Sequence, residues 1–286
     1  MSTSPFWTRW PIIGPLLALF TVGASPSPAP SLGPVRSWAV FYGAQADPDD
    51  LRRPDLLVLE PDQGWEPDRI RRSGQKILAY LSLGEVNESR PYFAKLKASP
   101  GTLAGHNPNW PGAVMVQPGS KVWRSLVLDD LLPSLVARGY DGLFLDTLDT
   151  AAYLEREKRQ VGAIAAMRRL LADLRARCPE ALLVANGGLD LLPEASGSLS
   201  AIAVESVFTD YRFKPAAYRE REVSAAAVRA TELRQVAQAS GLPLLVLEYA
   251  DPQDEASRSA VAQRVREAGF VPFVSDIKLE TLRETP

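Results

Sequence analysis

Eight short apolar runs, separated by amphipathic stretches, constrain the fold of this chain more than any other feature. They are SWAVFYG (37–43), LLVLEPD (56–62), KILAYLSLGE (76–85), GLFLD (142–146), ALLVANGG (181–188), AIAVES (201–206), PLLVLEY (243–249) and FVPFVSD (270–276). Most are continuously apolar, as expected of strands covered on both faces in a parallel sheet. Helical patterns lie between them. EPDRIRRSG is a short one after the second run. KVWRSLVLDDLLPSLVARG (121–139) carries apolar residues at Val122, Leu126, Leu128, Leu132 and Leu135 and stops at Gly139, while Pro133 inside it predicts a kink or a break. QVGAIAAMRRLLADLRARC, SAAAVRATELRQVAQASG and DEASRSAVAQRVREAGF follow the same plan, the last two closing on Gly. Eight strands with helices between them predict an α/β chain folded as one (β/α)8 TIM-type barrel over residues 35–286. The eighth run is followed by about ten residues, so the last helix is expected to be short or absent. A doubly wound sheet is the alternative. It would suit a nucleotide, but no G-x-G-x-x-G follows the first run and no G-x-x-x-x-G-K-[ST] occurs.

The ends of these runs carry the functional signal, because barrel enzymes build their sites where the strands end. In order they present Tyr42, then Glu60 and Asp62, Glu85, Asp146 and Asp149, Asn186, Glu205, Glu248 and Ser275-Asp276. One buried acid at a strand end is costly enough to need a partner, and so many acids on one rim need a common reason. Helix capping explains Asp149 and Asp276, but Glu is a poor N-cap, so Glu205 and Glu248 need another account. A glycosidase supplies one. It uses two carboxyl groups across the scissile bond, one ionised and one protonated. The aromatic residues Trp38, Tyr42, Trp65, Tyr80, Tyr211 and Tyr249 lie in or near the same rim and could stack on sugars, with core packing the expected role of Trp38 and Tyr80. Asp141 precedes its strand and is read as a turn residue on the opposite end.

Other chemistries find little footing. The 32 basic and 34 acidic residues nearly cancel and no Lys/Arg block stands out, so no nucleic-acid partner is expected. The single Cys178 excludes an intramolecular disulfide and any Cys-based zinc site. The single His106, in the turn-rich loop GHNPNW, would have to carry a triad or a His metal site alone. Neither metal nor cofactor is expected. At the N-terminus, Arg9, the apolar run PIIGPLLALFTVGA and the small residues Val22-Gly23-Ala24 read as a secretory signal peptide over 1–24. Pro11, Gly14 and Pro15 interrupt that run, which argues against a spanning helix and leaves an uncleaved anchor as the alternative. SPSPAPSLGP (25–34) reads as a Pro/Ser linker that packs no core. A secreted or periplasmic monomer without stable membrane insertion follows.

FYG, LLVLEPD, LAYLSLGEVN, GYDGLFLDTLDT, ANGG, VESVFTDY and LEYA, in this order over residues 37–276, resemble glycoside hydrolase family 114. These are endo-α-1,4-polygalactosaminidases, and the hydrolase domain of the Pel polysaccharide biosynthesis protein is similar. The resemblance implies a TIM-type barrel cutting α-1,4-linked galactosamine polymers, with Asp146 and Glu205 as the matching carboxyl pair. By analogy with retaining α-glycosidase barrels, Asp146 is the ionised nucleophile and Glu205 the acid, then the base. Val204 and Val207 are expected to raise the Glu205 pKa by their apolar character. Asp62, Glu85, Asp149 and Glu248 are expected to hold a protonated amine or sugar hydroxyls. Asn186 and Tyr42 would bond the central sugar or fix the carboxylates, and Tyr211 and Tyr249 would offer rings. A non-catalytic carbohydrate-binding barrel and a glycosidase for another α-linked glycan remain the rival readings.

Overall fold

The computed structural model describes residues 29–283 and residue 285. The signal peptide read at 1–24 and the start of the linker lie outside them. Residues 29–34 have no regular structure, yet Leu32 is buried against the main core, so packing begins inside the segment expected to be free.

The eight runs become eight strands: β1 (Trp38–Phe41), β2 (Leu56–Leu59), β3 (Lys76–Ser82), β4 (Gly142–Asp146), β5 (Leu182–Asn186), β6 (Ala201–Glu205), β7 (Leu244–Tyr249) and β8 (Val271–Ser275). They form one sheet in chain order, every neighbouring pair parallel. The result is a nearly closed (β/α)8 barrel. The β1–β8 seam is bridged by side chains and by the C-terminal segment. Trp38 Nε1 donates to the Val271 carbonyl at 3.0 Å. The Tyr42 amide donates to the Leu279 carbonyl at 2.7 Å, and the Val274 amide to Thr285 Oγ1 at 3.2 Å. That segment takes the place of a final helix, as the short tail implied; among the described residues no helix follows β8.

Side chains two apart on a strand share a face, and the two faces do different jobs. Trp38, Phe144 and Phe273 meet inside the barrel, with ring centroids 6.3 and 5.7 Å apart. Asp146 stands on the same face as Phe144, one layer nearer the rim. Outward residues pack on helices: Ile202 and Val204 of β6 join Ala226, Ala230 and Leu233 of the helix Val223–Ser240.

The connections depart from the ideal barrel in three places. Two 3-10 turns, Leu189–Leu191 and Ser196–Ser198, stand where a helix would join β5 to β6. A three-stranded antiparallel sheet (Glu85–Asn87, Leu103–His106, Ala113–Val116) follows β3. A hairpin (Thr209–Phe213 with Ala216–Glu220) follows β6. The helical stretch 121–137 is continuous but contains a π-helical segment, Leu126–Leu131, just before Pro133. Proline has no N–H to give to the carbonyl four residues back, and the wider turn absorbs that mismatch without a break. No helix among the described residues is long and apolar enough to cross a membrane.

Candidate active site

At the C-terminal rim, β4, β5 and β6 bring Asp146, Asn186 and Glu205 together. One atom organises them. Asn186 Nδ2 donates to Asp146 Oδ1 at 2.8 Å and to Glu205 Oε1 at 2.6 Å. The two accepting oxygens therefore lie no farther apart than those bonds laid end to end, about 5.4 Å. The amide orientation is fixed by this pair of acceptors, since the reverse would aim a carbonyl at both carboxyls. Asp146 Oδ2 accepts from the Tyr80 hydroxyl at 2.8 Å, and Glu205 Oε2 accepts from the Tyr249 hydroxyl at 2.6 Å. Tyr42 packs edge-on against Tyr80, centroids 4.8 Å apart. Burial first, and then neighbouring charge, pushes the phenols of Tyr42, Tyr80 and Tyr249 well above their ordinary range, so they remain donors.

The backbone that aims the two acids is unusual. Thr147 and Ser206, the residues directly after Asp146 and Glu205, both adopt left-handed conformations (φ 57° and 58°). Such conformations in non-glycine residues persist where surroundings hold them. Thr147 Oγ1 bonds the Ser82 hydroxyl and accepts from the Gly84 amide at 2.9 Å. Gly84 has no room for a side chain, because a Cβ there would lie 2.1 Å from the Thr147 carbonyl oxygen. On the other strand Arg221 donates to the Ser206 carbonyl at 2.9 Å and Arg229 to the Glu205 carbonyl at 3.1 Å.

Glu205 is raised above the ordinary carboxyl range, first by burial and then by the Asp146 charge, against the opposing bonds from Tyr249 and Asn186. The cause differs from the expected one. Val204 and Val207 belong to the outer cluster against the helix, whereas the inward tyrosines and Asn186 surround the carboxyl. Glu85 is also raised, mainly by burial; Asn107 Nδ2 donates to both its oxygens, at 2.9 and 3.1 Å. Asp149 is raised by burial of its carboxyl and by Asp146. It occupies a helix N-cap position, but its side chain makes no bond to the N2 or N3 amide, and the residue as a whole is exposed. Asp276 has no helix to cap; it holds the turn of the C-terminal segment instead, accepting from the Lys278 and Thr281 amides at 2.8 and 2.9 Å.

Two expected ligand-binding acids have other work. Glu248 is completely buried, and its carboxyl accepts from the amides of Val207, Phe208 and Thr209, each at 2.9 Å, and from the Thr209 hydroxyl at 2.6 Å. It fixes the root of the hairpin and does not reach the cleft, which corrects the sequence expectation. Asp62 pairs with Arg90, which also grips Glu60 through bonds of 2.9 and 2.8 Å. Asp141 is on the opposite end, as expected, bonded to the Ile77 amide at 2.8 Å and paired with Arg71. Tyr80, expected in the core, turns out to touch Asp146. Its cue was its place on the inward face of β3, where it pairs in register with Phe144. Asn107 was missed altogether. Among the described residues no cluster of three or more His, Cys, Asp or Glu is placed to hold a metal ion.

The model of glycoside-hydrolase family GH114 matches residues 21–286. The chain belongs to family GH114. It is therefore a glycosidase. The glycoside hydrolase domain of PelA from Pseudomonas aeruginosa superposes on this GH114 barrel with a TM-score of 0.78 at 30% identity, over 88% of this chain and 99% of that one. Ega3 of Aspergillus fumigatus, solved in complex with galactosamine, shares the GH114 fold at 17% identity with a TM-score of 0.64, over 92% and 98% of the two chains. An uncharacterized protein of Deinococcus radiodurans is 28% identical over 275 residues, 90% of this chain and 85% of its own.

Proposed function

We propose that this GH114 enzyme is a secreted, monomeric, endo-acting and retaining hydrolase of α-1,4-linked galactosamine-containing polysaccharide. Asp146 is its nucleophile and Glu205 its acid and base. The observation that carries the reading is the single Asn186 nitrogen bonded to both carboxyls. Retaining glycosidases hold their two carboxyl groups about 5–5.5 Å apart, and inverting ones about 6.5–9.5 Å, to admit a water. A spacing of at most about 5.4 Å between the accepting oxygens supports retention. The substrate class rests on the family resemblance; Glu85 and Asp149 add two further carboxyl groups close enough to Asp146 to feel its charge.

In the first step Asp146 attacks the anomeric carbon while Glu205 gives its proton to the departing glycosidic oxygen. In the second, Glu205 takes a proton from water, the water oxygen attacks the same carbon, and Asp146 leaves. Asn186 stays bonded to both acids throughout, and Tyr80 and Tyr249 hold their outer oxygens. The anomer released first from de-N-acetylated galactosaminan, followed by NMR, is expected to be α; a β product would refute Asp146 as nucleophile.

The proton donor sets the pH profile. Glu205 works only while protonated, so the rate falls as pH rises through its pKa. Burial and the Asp146 charge hold that pKa above the ordinary value of about 4.3, and the falling limb belongs above it. Glu205→Gln is expected to abolish polymer cleavage, to keep the first step on an aryl glycoside whose leaving group needs no proton, and to lose that limb there. A limb that survives the substitution would assign the proton to another group.

Export accounts for Arg9 and the apolar run after it. The mature protein is expected to begin close to Ser25 on N-terminal sequencing, and Met1 retained on a membrane-bound form would identify an anchor.

A further inference from the structure

Beside the central pair lies a recess of about 520 Å³ in which the chemistry above assigns nothing. The hairpin after β6 forms one wall, and the end of β7 with residues 250–257 forms the other. Tyr249 belongs to both places, since it lines the recess while its hydroxyl holds Glu205. Tyr211 and Tyr218 face each other across the hairpin, with ring centroids 5.1 Å apart. From Tyr211 the rings continue to Phe213 at 5.1 Å and then to Trp110 at 5.3 Å, in an aromatic row leading away from the recess.

The charges in the recess divide into used and unused. Arg219 is paired with Asp210 at 2.6 Å and Glu220 with Arg264 at 3.2 Å. Among the described residues Asp251 and Asp254 are in no ion pair. Each spends Oδ1 on a backbone amide, of Gln253 and Ser257 respectively, at 2.9 Å, and the second oxygen of each has no hydrogen-bond donor among those residues. Aromatic faces suit the C–H faces of a pyranose, the free carboxylate oxygens suit a cation, and the volume falls in the range of about 300–1,000 Å³ typical of small-ligand sites.

We propose that this recess is a subsite for a second hexosamine ring carrying a protonated amine, on the leaving-group side of the scissile bond. Tyr211 and Tyr218 supply its stacking wall, and Asp251 and Asp254 receive the ammonium. The side follows from Tyr249: the proton of Glu205 goes to the oxygen of the departing sugar, and the recess adjoins the residue that holds Glu205. The inference rests on the assignment of Asp146 and Glu205 under the proposed function.

The test compares two substrates in the full chain. One is a galactosamine oligomer; the other is an aryl α-galactosaminide, whose leaving group is not a sugar. Asn at 251 and 254 keeps the acceptors that the Gln253 and Ser257 amides need, so the double variant Asp251→Asn/Asp254→Asn removes charge without unmaking the turns. Its kcat/KM on the oligomer is expected to drop about tenfold relative to its kcat/KM on the aryl substrate, mainly through KM, as loss of a charge-assisted hydrogen bond implies. Tyr211→Ala is expected to shift the same ratio in the same direction. An unchanged ratio in both variants, whether activity falls equally or not at all, overturns the subsite. Failure of the unaltered protein to cut the oligomer is a separate result and overturns the proposed function itself.

Discussion

Asp146→Asn is expected to leave the barrel folded and to lower kcat by about 10⁴-fold or more, close to 5.4 kcal/mol of transition-state stabilisation at about 1.36 kcal/mol per factor of ten. The fold should survive because Asp146 lies at the rim and because Asn can be oriented without conflict. Its Oδ1 can take the Asn186 bond, while its Nδ2 can face the Tyr80 hydroxyl, which is able to accept. The chemistry should not survive, since an amide is no nucleophile for an anomeric carbon. Steady-state turnover on galactosaminan, with thermal unfolding of the same sample, separates the two effects. Turnover near that of the unaltered protein would remove Asp146 from the mechanism.

Glu248→Ala should do the reverse and strike stability first. The substitution strands the amides of Val207, Phe208 and Thr209 and the Thr209 hydroxyl in a buried place. Each unsatisfied group costs about 1–3 kcal/mol, against a total stability of about 5–15 kcal/mol for a typical domain. The variant is expected to lose most of its stability or to fail to fold. Glu248→Gln should fall between, because its carbonyl can still accept while its amide faces a donor. Urea unfolding followed by circular dichroism measures both, and a change below about 0.5 kcal/mol for the alanine variant would show the clasp to be idle.

The strands and the gathering of acids at one rim were legible because two simple rules coincide, while the choice of Asp146 and Glu205 among those acids came from the family resemblance. A strand buried on both faces reads as an apolar run, and a barrel places its chemistry where such runs stop. Asp146 and Glu205 satisfy both, as do Glu60, Glu85 and Glu248, so the rules alone do not single out the pair. The same rule misplaced Glu248, because a strand end alone does not say which face a residue takes. Register does: Leu247 pairs with Glu205 and shares its inward face, so Glu248 points outward, toward the hairpin root. Tyr80 went astray for a related reason, since its ring packs like core while its hydroxyl reaches the carboxylate above. The small sheet after β3 left no readable trace, because its strands of three or four residues are too short for a period to register. Asn107 could be found only through Glu85, the first residue of that sheet, to which it is bonded.

The stitched seam between β1 and β8 bears on the order in which the molecule acquires its activity. The Tyr42 amide is tied to the Leu279 carbonyl, a link between opposite ends of the domain's sequence. Contacts of such separation pay their loop-closure entropy before any reward arrives, so they are slow to form. Helices and early strand pairs are local enough to appear first. On refolding, circular dichroism should therefore recover ahead of turnover, and a chain emerging in vectorial fashion would remain inert until residue 279 had joined the rest.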